Sequence, residues 1–333
     1  MTSLPQTTVG DEPTSRMLEW FAQRHELLVD NIARAVRGRP DVVGLAVACL
    51  CAEGHLLIED VPGVGKTSLA RALAASIDGT WHRIQFTPDL LPSDVTGVTV
   101  YHQGRDAFEF RPGPVFANIV VGDEINRASP RTQSALLEVM DERRVTVDGQ
   151  PHPVPRPFMV IATQNPVDMD GTYRLPEAQL DRFLMRTSLG YPDHAAEIEI
   201  LESQRRGPVI EQLGAVVTVE DVAHMVAVAA VVHVSPAIQD YIVRLAAALR
   251  SSTELTLAVS PRATLGLMRA ARAMALADAR PFVTPEDVKD LAVAVLAHRL
   301  MLRSEAELAG RRVEEVVEDV LRAVEVPREL GVG

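Results

Sequence analysis

Asp60-Val61-Pro62-Gly63-Val64-Gly65-Lys66-Thr67 stands between a short apolar run, His55-Leu56-Leu57-Ile58-Glu59, and a segment with apolar residues at Leu69, Leu73 and Ile77. The run predicts a strand and the helical spacing predicts a helix, so the eight residues form a strand-to-helix loop. A loop in that position aims successive backbone N–H groups at an anion, with the positive end of the helix dipole behind them. Gly63 and Gly65 let the backbone approach phosphates, Lys66 reaches for the β/γ-phosphates, and the Thr67 hydroxyl is placed to ligate Mg²⁺. The common pattern begins with Gly, and here Asp60 takes that place. The expected nucleotide-binding stretch is Asp60, Val61, Pro62, Gly63, Val64, Gly65, Lys66, Thr67 and Ser68.

On either side of this loop the chain divides in two. From Ser15 to Arg37 the apolar residues Leu18, Phe21, Leu27, Leu28, Ile32 and Val36 predict a helix, closed by Gly38 and Pro40. A second helix is expected over 41–52. Trp81–Phe86, Asn118–Asp123, Phe158–Thr163 and 183–188 read as further strands, with a helix from Ser129-Pro130 onward and a short one near 176–181. Two hairpins are expected, one over 97–111 and one over 145–154 with Asp148-Gly149 at its tip. Strands alternating with helices imply an α/β fold with a doubly wound, mostly parallel sheet over residues 17–190. Beyond Tyr191-Pro192 the strand signals stop. Helices near 193–206, 218–230, 235–250, 261–277 and 284–302, two opened by the capping boxes Thr218/Asp221 and Thr284/Asp287, predict an all-helical domain over 191–303. Residues 1–16 read as a disordered tail, and 304–333 as a helical extension with a loose end.

A length of 333 residues suits about two domains. Aromatics are only 4%, so the core must come from Ala, Val and Leu. The net charge of −12 argues against a general nucleic-acid binder, which needs a basic stripe. No apolar run reaches a membrane span, and the polar N-terminus lacks a secretory signature, so a cytoplasmic protein is expected. Cys49 and Cys51 lie in an apolar helix, too close together for a zinc knuckle, and read as buried thiols. The nine His residues show no metal-ligand spacing.

Asp123 and Glu124 end a hydrophobic strand, where such a sheet presents groups to a bound nucleotide. Asp123 can hold a Mg²⁺ shell and Glu124 can take a proton from an attacking water. Read alone, the pair is equally a solvated acidic loop, and the phosphate loop earlier in the chain decides between the two. Asn165 ends the next strand and can position the same water, although Asn-Pro is by itself a turn signal. Arg182 and Arg262 are candidate cations for a transferring phosphoryl group, though each taken alone reads better as a surface arginine.

These motifs resemble those of the AAA+ ATPases, and among them the MoxR group, over residues 17–302. The resemblance rests on Val61–Thr67, Gly122-Asp123-Glu124-Ile125-Asn126-Arg127-Ala128, Thr132–Glu138, Ala162-Thr163-Gln164-Asn165-Pro166, Leu175–Phe183 and Ser260-Pro261-Arg262-Ala263. It implies a helical lid after the α/β core, with ATP and Mg²⁺ as cofactors. Lys66 and Thr67 become Walker A, Asp123 and Glu124 Walker B, Asn165 sensor 1 and Arg262 sensor 2. Arg182 becomes an arginine finger given to a neighbouring subunit. The hairpins become the helix-2 insert and the pre-sensor-1 hairpin, facing the pore of a homo-oligomeric ring, a hexamer. Gly38, within Arg37-Gly38-Arg39, falls where the group often has Val-Gly-Gln near the adenine. The family points to a chaperone-like ATPase that remodels or matures a protein client, often with a von Willebrand factor A-domain partner. Other readings are a magnesium-chelatase-like motor subunit, a nucleotide-gated binding module that hydrolyses negligibly, and a DNA motor, which the charge disfavours.

Overall fold

The computed structural model describes residues 13–165, 173–203 and 209–327. Residues 1–12 and 328–333, which make up most of the expected tail and loose end, lie outside the described residues, as do Pro166 and 204–208.

Helix α1 (Ser15–Ala33) starts where the Thr14 side chain accepts from the Met17 N–H, and it buries Leu18, Phe21, Leu28 and Ile32. Helix α2 (Pro40–Cys51) is apolar nearly all round and lies between neighbours, with Pro in its first turn. Burial pushes up both of its thiols, Cys51 to about 12. The core then runs β1 (Leu56–Glu59), α3 (Lys66–Ala75), β2 (Ile77–Asp78), β3 (Trp81–Gln85), α4 (Pro92–Thr96), β4 (Gly97–His102), β5 (Ala107–Pro112), β6 (Ile119–Asp123) and α5 (Pro130–Glu142). It continues with β7 (Arg144–Val147), β8 (Gln150–Pro153), β9 (Met159–Gln164), α6 (Glu177–Leu180) and β10 (Met185–Thr187).

The main sheet has the order β10-β1-β9-β6-β3, and every pairing in it is parallel. Its side chains alternate as the pleat requires. Leu56, Ile58, Ile119, Val121, Met159 and Ile161 join the core shared with α1, α2 and α3. Leu57, Ile84, Val120, Val160 and Ala162 pack with Leu136 and Leu137 of α5 on the other face. The sheet is therefore covered on both sides, with its carboxyl ends along one edge. The opposite end is tied down by His55, which is buried and neutral. Its Nδ1 accepts from the Val160 N–H at 2.9 Å, leaving Nε2 to donate to the Met140 carbonyl at 3.2 Å. Burial lowers its pKa to about 3.

The second half comprises α7 (His194–Ser203), β11 (Val217–Thr218), α8 (Val219–Ala230), α9 (Pro236–Ser251), β12 (Leu255–Leu257), α10 (Pro261–Ala277), α11 (Pro285–Leu296), β13 (Met301–Leu302), α12 (Ser304–Leu308) and α13 (Val313–Ala323). Both capping boxes form: Asp221 and Asp287 donate backbone N–H groups to Thr218 and Thr284, and their carboxylates accept in return. The region is helical but not purely so. A parallel β2–β11 bridge stitches it to the α/β core, and β12 pairs antiparallel with β13. Ladders of two or three residues are too short to leave an alternating pattern in the sequence. The helix expected over 284–302 ends at Leu296, because His298 and Arg299 turn inward to donate to carbonyls of the core. The segment after 304 is not loose as far as it is described: α13 buries Val316 and Val317 in the same core as α9 and α11. That core also joins α1 and α2 to α8 and α10, so the two halves share one apolar interior. Among the described residues, no helix is long and apolar enough to cross a membrane.

Candidate functional site

The chain leaves β1, turns through Asp60–Gly65 and enters α3 at Lys66. Gly63 and Gly65 take φ of +88° and +97°, the left-handed region that other residues rarely enter. A Cβ on either would meet nothing within 4 Å, so the requirement is conformational and the loop's concave side stays open. Lys66 is buried and turned onto the loop. Its Nζ donates to the Asp60 carbonyl, to the Val61 carbonyl at 3.1 Å and to Asn165 Oδ1 at 2.5 Å. Burial lowers its pKa, against the pull of Asp60, Glu124 and Asp123.

Four strand ends meet this loop. At the end of β6, Asp123 accepts from Thr67 Oγ1 at 3.0 Å and from Thr163 Oγ1 at 3.3 Å on its Oδ1. On its Oδ2 it accepts from Arg83 Nε at 2.6 Å. Glu124 is held at φ +57°, a costly conformation for a residue with a side chain, while its N–H donates to Thr163 Oγ1 at 3.0 Å. Its carboxylate accepts from Gln85 Nε2 at 3.1 Å and from Arg127 Nη1 at 3.0 Å. Asn165, at the end of β9, faces Lys66, and Asn126 Nδ2 donates to its carbonyl. Lys66, Thr67, Arg83, Gln85, Asp123, Glu124, Thr163 and Asn165 thus line one cleft of about 370 Å³. A hydroxyl and a carboxylate side by side, Thr67 and Asp123, are the hard oxygen donors that suit Mg²⁺, so the residues present fit that ion.

A second cleft adjoins the loop, lined by Val36, Arg37, Arg39, Val64, Ser68 and Leu189 among others. Gly38 itself serves the turn before α2. It has φ +73°, and a Cβ there would lie 2.8 Å from that of Ala196. Its neighbours, not Gly38, face the cleft.

Asp60 stands where the common pattern begins with Gly. The structure turns it away from the concave side: it accepts from the Gly190 N–H at 2.6 Å, Val61 N–H at 2.8 Å and Ser188 Oγ at 3.0 Å. Burial pushes its pKa up, but the bonds from Gly190, Ser188 and Val61 outweigh this and hold it below the ordinary value. Asp60 is thus a staple between the loop and the end of β10. Asp60→Ala is expected to lose about 1–3 kcal/mol in chemical denaturation, because it orphans buried donors. A lowered carboxyl contributes stability above its unfolded pKa and loses it as pH falls through the folded one. The gap between wild type and Asp60→Ala should therefore narrow below about pH 4. A gap independent of pH there would show that the carboxylate charge is not what holds the staple.

Arg182 and Arg262 do not join this cleft. Arg182 precedes β10, at the amino end of a strand parallel to β1, whereas Lys66 follows the carboxyl end of β1. They are separated by at least a strand's length, about 13 Å. Arg182 Nε lies 3.0 Å from Asp141 Oδ2, and Arg262 pairs with the same carboxylate, near the end of α5. Arg143, Arg269 and Arg299 line the same small cavity, and Arg299 is bound to Asp181 at 2.7 Å. Sequence reasoning missed Arg83, Gln85 and Thr163. The available signal was that Arg83 and Gln85 lie two apart on a strand and so share a side.

Both hairpins form, with the registers Gly97↔Pro112 and Arg144↔Pro153. Tyr101 and the largely exposed Phe108 touch at the first hairpin, their ring centroids 5.2 Å apart. Phe110 stacks on His152 at 4.0 Å and joins the two hairpins.

The family described as "ATPase family associated with various cellular activities (AAA)" matches residues 55–185, and that described as "AAA lid domain" matches 247–320. The chain is 41% identical to "Chaperone MoxR1" of Mycobacterium tuberculosis, covering 91% of this chain and 82% of that protein. It is 49% identical to the uncharacterized protein YeaC of Bacillus subtilis, covering 91% and 96%. It is 32% identical to "Protein MoxR" of Methylorubrum extorquens, covering 88% and 91%. A crystal structure from Cytophaga hutchinsonii superposes with a TM-score of 0.86 at 37% identity, covering 93% of this chain and 97% of the other.

Proposed function

The chain belongs to the MoxR family of AAA ATPases, and from that premise we propose that it hydrolyses Mg·ATP as a subunit of a homo-oligomeric ring that remodels or matures a protein client. The observation that carries this reading is the split of the functional groups. Lys66, Thr67, Asp123, Glu124 and Asn165 gather at the carboxyl ends of the strands, while Arg182 and Arg262 share Asp141 at the other end. A subunit built this way offers a site at one end and cations at the other, which suits a ring in which each completes its neighbour.

In this reading the open loop takes the phosphates on its N–H groups and Lys66 exchanges its carbonyl partners for β/γ-oxygens. Thr67 and Asp123 would hold Mg²⁺, which would supply neutralisation of the phosphates' charge. Glu124 takes the proton of the attacking water, and Asn165 aligns that water. Arg182 and Arg262 act on the neighbour's transferring phosphoryl group. The exposed Tyr101 and Phe108 on the first hairpin suit a gripping surface for a client, which a von Willebrand factor A-domain protein could present. The chaperone name of the Mycobacterium tuberculosis relative supports this part of the reading.

The test is Lys66→Ala. At nucleotide a hundredfold above Kd, Mg·ATP should stabilise the wild type by about 2.7 kcal/mol, and the variant should show almost none of it. Lys66 is not idle without nucleotide, since it bonds two carbonyls and Asn165, so the variant should itself be about 1 kcal/mol less stable. A variant that gains the full nucleotide shift would place the phosphates elsewhere.

A further inference from the structure

Strand β3 lies beside β6 with Gln85 opposite Asp123 and Arg83 opposite Val121. This register carries the Arg83 guanidinium to the end of β6. Asp123 is shut off from water, its side chain 3% exposed, while that of Arg83 is 49% exposed and faces the cleft. A carboxylate so enclosed is costly unless a cation or several donors answer it. The two hydroxyls on Oδ1 give hydrogen bonds but no charge, and Lys66 is committed to the loop and Asn165. Arg83, 2.6 Å from Oδ2, is the counterion. Its other arm donates to Gln85 Oε1 at 3.1 Å, and so fixes the residue that holds Glu124.

Arg83 and a divalent ion compete for the same carboxylate. We infer that Arg83 is a stand-in for the metal: its guanidinium neutralises Asp123 until Mg²⁺ arrives with the nucleotide and displaces it. This rests on reading the cleft as a Mg·nucleotide site. It makes Arg83 a positioning residue with two opposite effects. The cation draws the nucleotide's phosphates in when no metal is present, and it raises the Mg²⁺ concentration needed to occupy Asp123.

The experiment is thermal melting with a non-hydrolysable ATP analogue, first in EDTA and then across a MgCl₂ titration, for the wild type, Arg83→Ala, Arg83→Gln and Arg83→Lys. Arg83→Gln keeps a donor for Asp123 and serves if the alanine variant does not fold. In both neutral variants the Mg²⁺ giving half of the full stabilisation should fall about two- to fivefold, the size of one partly exposed charge pair. The shift given by the analogue in EDTA should shrink in the same variants. Arg83→Lys keeps the charge but loses the fork that bonds Asp123 and Gln85 together, so on both measures it should fall between the wild type and the neutral variants. A purely structural arginine would weaken both responses together, and that result, or an unchanged or raised Mg²⁺ requirement, overturns the inference. A wild type that Mg·analogue does not stabilise at all overturns the nucleotide-site reading itself, and this inference with it.

Discussion

Arg182→Ala is expected to bind ATP normally and to release phosphate about 10³- to 10⁵-fold more slowly, the range measured when a cation is withdrawn from a transferring phosphoryl group. The fold should survive, because Asp141 keeps Arg262 as a partner when Arg182 is removed. The loss should also be repairable by another dead protein. Lys66→Ala has an empty site of its own, yet its Arg182 end is untouched, since the two lie at opposite ends of the sheet. If the subunits form the proposed ring, mixed rings would contain interfaces where an Arg182→Ala subunit holds ATP and a Lys66→Ala neighbour supplies the arginine. Phosphate release measured across mixing ratios, with subunit exchange verified by labelled protomers, should rise above both parents. An arginine acting within its own chain allows no such rescue, and proven exchange without any recovered turnover would refute action in trans.

Glu124→Gln should likewise keep binding and lose turnover, but through a group within the subunit's own cleft. The amide keeps the size of the side chain and can still meet Arg127 through its oxygen, but it cannot accept a proton from water. Loss of a positioned base costs about 10²–10⁴ in rate. Nucleotide affinity should stay near that of the wild type, because Lys66, Thr67 and Asp123 are unchanged. Single-turnover phosphate release beside an equilibrium binding titration makes the comparison. Turnover within a few-fold of wild type would move the base elsewhere. If the ring grips a client while ATP persists, the slow variant should also retain that client in a pull-down.

How far the sequence could be read depended on distance along the chain. The phosphate loop, the Ser129-Pro130 helix start and the two capping boxes are local, so spacing alone located them. The five-stranded sheet followed from apolar runs separated by helical periods. What escaped notice lies in contacts that only the tertiary fold creates. Asp60 looked like a defect in the loop, because its partners Ser188 and Gly190 come about 130 residues later. Arg83 was not singled out, since its contact with Asp123 exists only through the β3–β6 register. Arg182 and Arg262 were picked out one by one, while their meeting on Asp141 depends on how the helical half docks. Arg299 belonged to an expected helix until its bonds to Asp181 and Phe183 turned it inward.

Strand β3 has one further consequence, and it concerns solubility. It closes one side of the sheet and, among the described residues, pairs there only with β6, which leaves its outer edge without a neighbouring strand. Such free edges invite strand-to-strand association between molecules. The other outermost strand, β10, has α11 packed beside it, but β3 exposes Trp81, His82, Arg83 and Gln85, with Ile84 alone turned into the core. A long, charged side chain on a short edge strand makes foreign pairing costly, because an approaching strand would have to bury it. Arg83 therefore works on two fronts from one position, answering a carboxylate inside the cleft while keeping its own strand from recruiting strangers.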